Sequence, residues 1–229
     1  MSQLHSKSII VSPSLLSCDF ANIEREVKAV TEAGADWLHV DVMDGHFVNN
    51  ITIGPPVVRA IKKVSKLPLD VHLMIENPEK YVDAFIKAGS DYLTIHVEAT
   101  KEPLDVLRKI KSQNVNPGIT LRPSTNLSEI LPFLDEVAMV LIMTVEPGFG
   151  GQSFMPEQVE KIKILKKEIE KRNLDIHIEV DGGINKETAK ICRDAGANAF
   201  VSGSYIFDSG KETASDFNDA YKKAIQSLR

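Results

Sequence analysis

Short apolar runs alternate with amphipathic stretches along the whole chain. The apolar runs begin near Ile9, Trp37, Leu69, Tyr92, Pro117, Val137, Ile176 and Ala199, and each has the length of a strand. The stretches between them carry apolar residues at helical spacing, as in Asn22 to Glu32, Pro78 to Lys87 and Pro156 to Arg172. In the last of these, Val159, Ile162, Ile164, Leu165 and Ile169 form a broad apolar face, which predicts a helix laid against a sheet. Strands alternating with helices predict a parallel sheet, either open and doubly wound or closed into a barrel.

A recurring phrase separates those two architectures. Ala33-Gly34-Ala35-Asp36, Ala88-Gly89-Ser90-Asp91 and Ala195-Gly196-Ala197-Asn198 stand 55 and 107 residues apart, close to one and two multiples of a period near 54. Each phrase ends a helix-like stretch and precedes an apolar run, as expected where glycine takes the left-handed conformation after a helix. Two strand–helix units per period make each unit about 27 residues, so 229 residues hold about eight of them. Eight units without a G-x-G-x-x-G fingerprint predict an α/β fold, a (β/α)8 TIM barrel forming a single domain over residues 1–229.

Composition adds mainly exclusions. Hydrophobic content of 43% and charged content of 26% are ordinary for a soluble globular chain. A net charge of −5 argues against a nucleic-acid partner, and no apolar run has the length of a membrane span. Cys18 and Cys192 cannot build a disulfide framework. Lys7 followed by Ile9-Ile10-Val11 lacks the long apolar core of a signal peptide, so a cytoplasmic location is expected.

The strand from Trp37 to Met43 has mismatched faces. Leu38, Val40 and Val42 point one way, and His39, Asp41 and Met43 the other. Unpaired ionisable groups cost several kcal/mol to bury, so the second face needs a metal, a partner or a substrate. His72 closes the third strand and Asp181 the seventh. His39, Asp41, His72 and Asp181 thus converge at the C-terminal strand ends, where barrel chemistry resides. Such an N2O2 set suits one divalent ion per subunit, Zn²⁺, Fe²⁺, Mn²⁺ or Co²⁺. Asp41 and Asp181 are also placed for proton transfer on opposite faces of one carbon.

Met43, Met74 and Met143 end strands on the same face and are read as an apolar collar around the mouth. Gly148-Phe149-Gly150-Gly151, Gly182-Gly183 and Gly203-Ser204 follow the sixth, seventh and eighth strands. Backbone N–H groups in such turns, with a short helix starting near Ser204, suit a phosphate. Ser14 ends the first strand within reach of a substrate hydroxyl. His96 and Glu98 are read as supporting the site or edging the substrate rather than as ligands. Glu146 reads as a loop-fixing acceptor, and His46 as closing its own turn.

The phrases SPSLLSCDF, HVDVMDGHFV, LDVHLMI, MTVEPGFGGQ, EVDGGI and VSGS occur in the order found in the ribulose-phosphate 3-epimerase family, which the chain resembles over essentially its full length. The resemblance implies a metal-dependent isomerase that interconverts D-ribulose 5-phosphate and D-xylulose 5-phosphate through a metal-stabilised cis-enediolate. It implies His39, Asp41, His72 and Asp181 as ligands, with Asp41 and Asp181 exchanging the proton. It further implies substrate contacts from Ser14, His72, Asp181 and the three glycine turns, and a homo-oligomer, dimer or hexamer. Asn49 stands where the family usually has proline, and Cys18 where alanine is commoner; neither touches a proposed ligand. A related epimerase acting on D-allulose 6-phosphate would keep the same ligands. A barrel lyase would need a lysine in a strand, and none of the strand segments contains one. A non-catalytic sugar-phosphate binder would have no use for the aspartate pair.

Overall fold

The Ala-Gly phrases do end helices and launch strands. In the computed structural model, which describes residues 8–211 and 217–229, the helices Val82–Ala88 and Lys186–Ala195 stop at Gly89 and Gly196. Both glycines have φ above +100°, and their N–H groups return to carbonyls of the last turn. The stretch around Lys7 lies outside the described residues.

Eight parallel strands follow one another around a barrel: β1 Ile10–Pro13, β2 Leu38–Met43, β3 Leu69–Met74, β4 Tyr92–His96, β5 Asn116–Leu121, β6 Met139–Met143, β7 His177–Asp181 and β8 Ala199–Ser202. The described helices are α1 Ile23–Glu32, α2 Pro55–Val64, α3 Val82–Ala88, α4 Pro103–Ser112, α5 Val159–Arg172, α6 Lys186–Ala195, α7 Ser204–Lys211 and α8 Phe217–Ser227. Neighbouring strands pair from β2 through β8, and β1 pairs with β8. A parallel bridge between Ser14 and His39 spans the remaining seam, so the fold is a single-domain (β/α)8 TIM barrel.

One unit departs from the expected pattern. The β5–β6 crossover contains the 3-10 turns Leu127–Glu129 and Leu131–Glu136 in place of an α-helix. Pro123 precedes this segment and Pro132 lies within its second turn, and proline deprives a helix of a hydrogen-bond donor. Leu127, Ile130 and Leu134 still bury themselves against the barrel. α5 also corrects the sequence pattern. Ile162, Leu165 and Ile169 are buried, whereas Ile164 is 45% exposed. At 100° per residue, position 164 falls on the far side of the helix from that stripe.

Alternation then sorts the strand residues into two environments. Leu38, Val40, Val42, Val71, Leu73 and Ile95 face outward and belong to the main core beneath the helices. Inside, the floor is apolar: Ile10, Trp37, Met139 and Ala199 pack with Tyr92, whose ring centroid lies 4.4 Å from that of Trp37. Above it lies a buried polar layer of Ser12, His39, Asp70, Thr94, Thr120 and Glu179. The mouth comes next, with Asp41 beside His72 and Met43 beside Met74 in the β2–β3 register.

The two faces of α5 can be separated by mutation. Leu165→Ala should cost about 2–5 kcal/mol in urea unfolding, and Ile164→Ala no more than about 0.5 kcal/mol. Equal costs would reject this orientation of the helix.

Candidate active site

β2 ends in a hydrogen-bonded clasp. The Thr52 hydroxyl donates to the Asp41 carbonyl at 2.7 Å and accepts from the Met43 N–H at 3.0 Å. Beyond it, Asp44 accepts the N–H groups of His46, Phe47 and Glu76, which folds the loop after β2 against the end of β3. His46 closes this turn, its Nδ1 3.1 Å from the Asp44 carbonyl. β7 is held similarly: Thr144 bonds the carbonyl of Asp181 through its N–H and its hydroxyl, and the hydroxyl also meets the Gly182 carbonyl. The carbon frames carrying Asp41 and Asp181 are therefore fixed before any ligand arrives.

The four sequence-predicted ligands come together. One donor atom from each of His39, Asp41, His72 and Asp181 lies within 4.8 Å of the others, so these residues could hold a metal ion. His39 Nε2 is 3.2 Å from Asp41 Oδ1 and 4.0 Å from Asp181 Oδ2, and His72 Nδ1 is 3.4 Å from Asp41 Oδ1. Both rings are fully buried, yet His39 Nε2 and His72 Nδ1 lack hydrogen-bond partners. The opposite nitrogens are occupied: His39 Nδ1 lies 2.5 Å from Asp70 Oδ2, and His72 Nε2 lies 2.9 Å from His96 Nε2. Buried polar atoms are rarely left unpaired, so two bare ring nitrogens beside two carboxylates fit a divalent cation.

Electrostatics divide the two carboxylates. Burial works to raise the Asp41 carboxyl, but His39 and then His72 outweigh it and hold it well below the usual carboxylate range. Burial and the nearby charge of Asp41 instead push Asp181 up to about 7. Burial opposes charge on His39 too, yet Asp41 and Asp70 raise it well above its ordinary value. Burial lowers His72. In the metal-free chain Asp41 is therefore held ionised while burial and that charge favour a proton on Asp181.

The carboxylates open onto a cavity of about 680 Å³ that Ser14, Met43, Met74, Met143 and the glycine turns also line. The Ser14 hydroxyl donates to Asp41 Oδ2 at 2.6 Å. The methionines split into two arcs: Met43 and Met74 pack with Val48, and Met143 with Leu141 and Val145. Gly148, Phe149, Gly150 and Gly151 form one wall, with Phe149 57% exposed, and Gly182, Gly183, Gly203 and Ser204 another. Gly183 has φ +63° and a side chain there would meet the Phe154 backbone N at 2.6 Å, so the turn admits only glycine. Ser204 begins α7, as its position after the glycine predicted. His39 and His72 are fully buried and do not reach the cavity surface; His39 lies one layer below Asp41 and His72 beside it.

Several contributors escaped the sequence reading. Asp70 and Glu179 lie one layer below the mouth, and both Glu179 oxygens and Asp70 Oδ1 are buried without partners. Their inward position was readable from strand alternation, but not their proximity to His39, with which they form a second three-residue group. Ser17 reaches the wall beside Gly203 and Gly150, although it ends a single 3-10 turn, Leu15–Ser17, too short to give a periodic signal. At Glu146 the backbone carbonyl accepts from Gln152. Cys18 and Cys192 are buried free thiols pushed up to about 12 by burial, which leaves them unreactive.

Fold and mouth together define an α/β barrel whose cavity and cluster of ionisable groups lie at the C-terminal strand ends. A model of the ribulose-phosphate 3 epimerase family matches residues 10–207. The chain is 48% identical to a ribulose-phosphate 3-epimerase of Bacillus subtilis (strain 168), over 96% of this chain and 98% of that one. It is 51% identical to a chloroplastic ribulose-5-phosphate-3-epimerase of Arabidopsis thaliana, over 98% of this chain and 79% of that one. Among solved structures, 3-hexulose-6-phosphate synthase superposes with a TM-score of 0.67 at 18% identity, over 97% of this chain and 100% of that one, a likeness of fold. The chain belongs to the ribulose-phosphate 3-epimerase family, a family of isomerases.

The raised Asp181 makes a signed prediction. Between its ordinary value of 3.8 and about 7, the folded metal-free chain holds a proton that the unfolded chain has released. Its contribution to stability therefore falls as pH rises through that window. Asp181→Asn should raise the Tm of metal-free protein at pH 8 by several degrees, at about 2–4 °C per kcal/mol, and the gain should vanish towards pH 4. A thermal scan showing no pH-dependent difference would reject the shift.

Proposed function

We propose that the protein interconverts D-ribulose 5-phosphate and D-xylulose 5-phosphate by exchanging the proton at C3. The observation that carries this reading is the pair of carboxylates, Asp41 and Asp181, that line one cavity beside the unpartnered ring nitrogens of His39 and His72. Ionised Asp41 takes the C3 proton from one face of the ketose, leaving a cis-enediolate. Asp181 returns a proton to C3 from the opposite face, which inverts that carbon. The reverse reaction exchanges their roles.

His39 Nε2, His72 Nδ1 and carboxylate oxygens of Asp41 and Asp181 would hold one divalent ion, Zn²⁺, Fe²⁺, Mn²⁺ or Co²⁺. Such an ion supplies Lewis-acid polarisation of the C2 carbonyl and so lowers the cost of removing the adjacent proton. Ser14 orients Asp41 and faces a sugar hydroxyl. Met43, Met74 and Met143 exclude water from the carbanion-like intermediate. Among the described residues, none that lines the cavity is Lys or Arg. The phosphate would therefore rest on backbone N–H groups of Gly148, Phe149, Gly150, Gly151, Gly182, Gly183, Gly203 and Ser204, and on the positive end of α7.

The eight strands contain no lysine, which disfavours Schiff-base lyase chemistry on this barrel. No helix among the described residues is long and apolar enough to cross a membrane. The same reading treats residues 1–229 as one epimerase domain and takes the two free thiols as suited to the cytoplasm. The family resemblance extends it to a homo-oligomer, dimer or hexamer.

A coupled epimerase assay after chelation and metal add-back tests the metal requirement. Activity should disappear on chelation and return with one ion per subunit; full turnover by metal-free protein would refute it. In D₂O, product should carry deuterium at C3. Asp41→Asn and Asp181→Asn should each lower kcat by at least about 10²-fold, with folding retained. Retained turnover in either variant would remove that carboxylate from the mechanism.

A further inference from the structure

His96 and Glu98, at the end of β4, are absent from the proton-transfer scheme, yet they continue the buried chain behind His72. His72 Nε2 and His96 Nε2 are 2.9 Å apart, with ring centroids separated by 5.0 Å and only 26° between planes. Face-to-face rings would bring the centroids nearer, so the rings meet edge to edge. One nitrogen must donate and the other accept.

Glu98 determines which. Its Oε1 accepts the Arg122 N–H at 2.7 Å and the Thr125 hydroxyl at 2.5 Å, leaving Oε2 directed at His96 Nδ1, 3.4 Å away. That contact is longer than a full hydrogen bond, but it sets a carboxylate against this ring nitrogen. A bare Nδ1 would oppose its lone pair to an anion, so the hydrogen resides on Nδ1 and His96 Nε2 becomes an acceptor. His72 Nδ1 stands equally far, 3.4 Å, from Asp41 Oδ1. Asp41, however, accepts the Ser14 hydroxyl on Oδ2 and faces His39 Nε2 at 3.2 Å on Oδ1, whereas Oε2 of Glu98 has His96 as its partner. His72 then carries its hydrogen on Nε2, which leaves Nδ1 bare towards Asp41. The Phe47 ring, 4.7 Å from His96, and the Arg122 guanidinium, 4.1 Å above Phe47, close this corner.

We infer that His96 and Glu98 are positioning residues that fix the tautomer of His72 and thereby make Nδ1 its metal-binding atom. The inference rests on the divalent-ion reading given above. It assigns to Glu98 the part that Asp70 plays for His39, with one additional ring between carboxylate and ligand. Reversing the hydrogen order would place a hydrogen on His72 Nδ1 and block it as a ligand without removing any ligand side chain.

Glu98→Gln is the nearly isosteric reversal. Its amide oxygen can retain Arg122 and Thr125, which turns its NH₂ group towards His96 Nδ1 and makes that nitrogen an acceptor. His96→Gln is the rescue, because its amide can present oxygen to His72 Nε2. Co²⁺ titration of metal-free protein, followed by visible absorption, should show affinity about 10–100-fold weaker in Glu98→Gln and close to wild type in His96→Gln. Ring ¹⁵N shifts of metal-free wild type at pH 8 should show His72 protonated at Nε2 alone. A hydrogen on His72 Nδ1, or unchanged Co²⁺ affinity in Glu98→Gln, would overturn the inference while leaving the metal reading intact. Failure of wild type to take up Co²⁺ would overturn both. The ¹⁵N measurement uses wild-type protein, so it decides the question even if a variant fails to fold.

Discussion

His39 is clamped between Asp70 below and Asp41 above, and of the three Asp41 is the one that reaches the cavity. Moving charges out of water costs several kcal/mol each unless partners compensate, so each group there depends on its neighbours. Asp70 holds one ring nitrogen and leaves the other bare at the mouth. That bare nitrogen faces Asp41, which is itself held by Ser14. Remove one member and the others become unpaired buried charges. The rest of the mouth depends on this column remaining intact.

The barrel makes such a column possible because parallel register stacks inward residues of neighbouring strands at equal heights. β2 and β3 place His39 beside Asp70, then Asp41 beside His72, then Met43 beside Met74. β6 and β7 place Met143 beside Asp181. A polar support layer, a reactive layer and an apolar rim follow from the same two-residue alternation. The asymmetry between Asp41 and Asp181 also follows, because the imidazoles lie nearer Asp41. Two chemically identical side chains thus acquire opposite tendencies to hold a proton.

Much of this was legible in the chain. The Ala-Gly phrases marked real helix ends at Gly89 and Gly196, and the apolar runs marked all eight strands within about two residues. The brought-together set of His39, Asp41, His72 and Asp181 was readable because each lies on the inward face of a strand whose other face is aliphatic. Ile164 was misread because a broad apolar stretch does not reveal which of its residues face outward until the helix docks. The β5–β6 crossover resisted because its prolines replace an α-helix with tight turns that still bury leucines at similar spacing. Ser17 lay in a turn without periodicity, so nothing local distinguished it.

The sequence by itself determined the inward and outward face of each strand, the glycine turns and the identity of the charged residues, since those depend on local periodicity and backbone freedom. Only the tertiary structure decided the contact of Asp70 with His39 and the chain of contacts from Glu98 through His96 to His72. These contacts join residues on different strands and the loops after them, and a change of one ångström would alter which nitrogen is free. It also decided which carboxylate carries the proton, because that depends on distances through a dry interior where charges act strongly on one another.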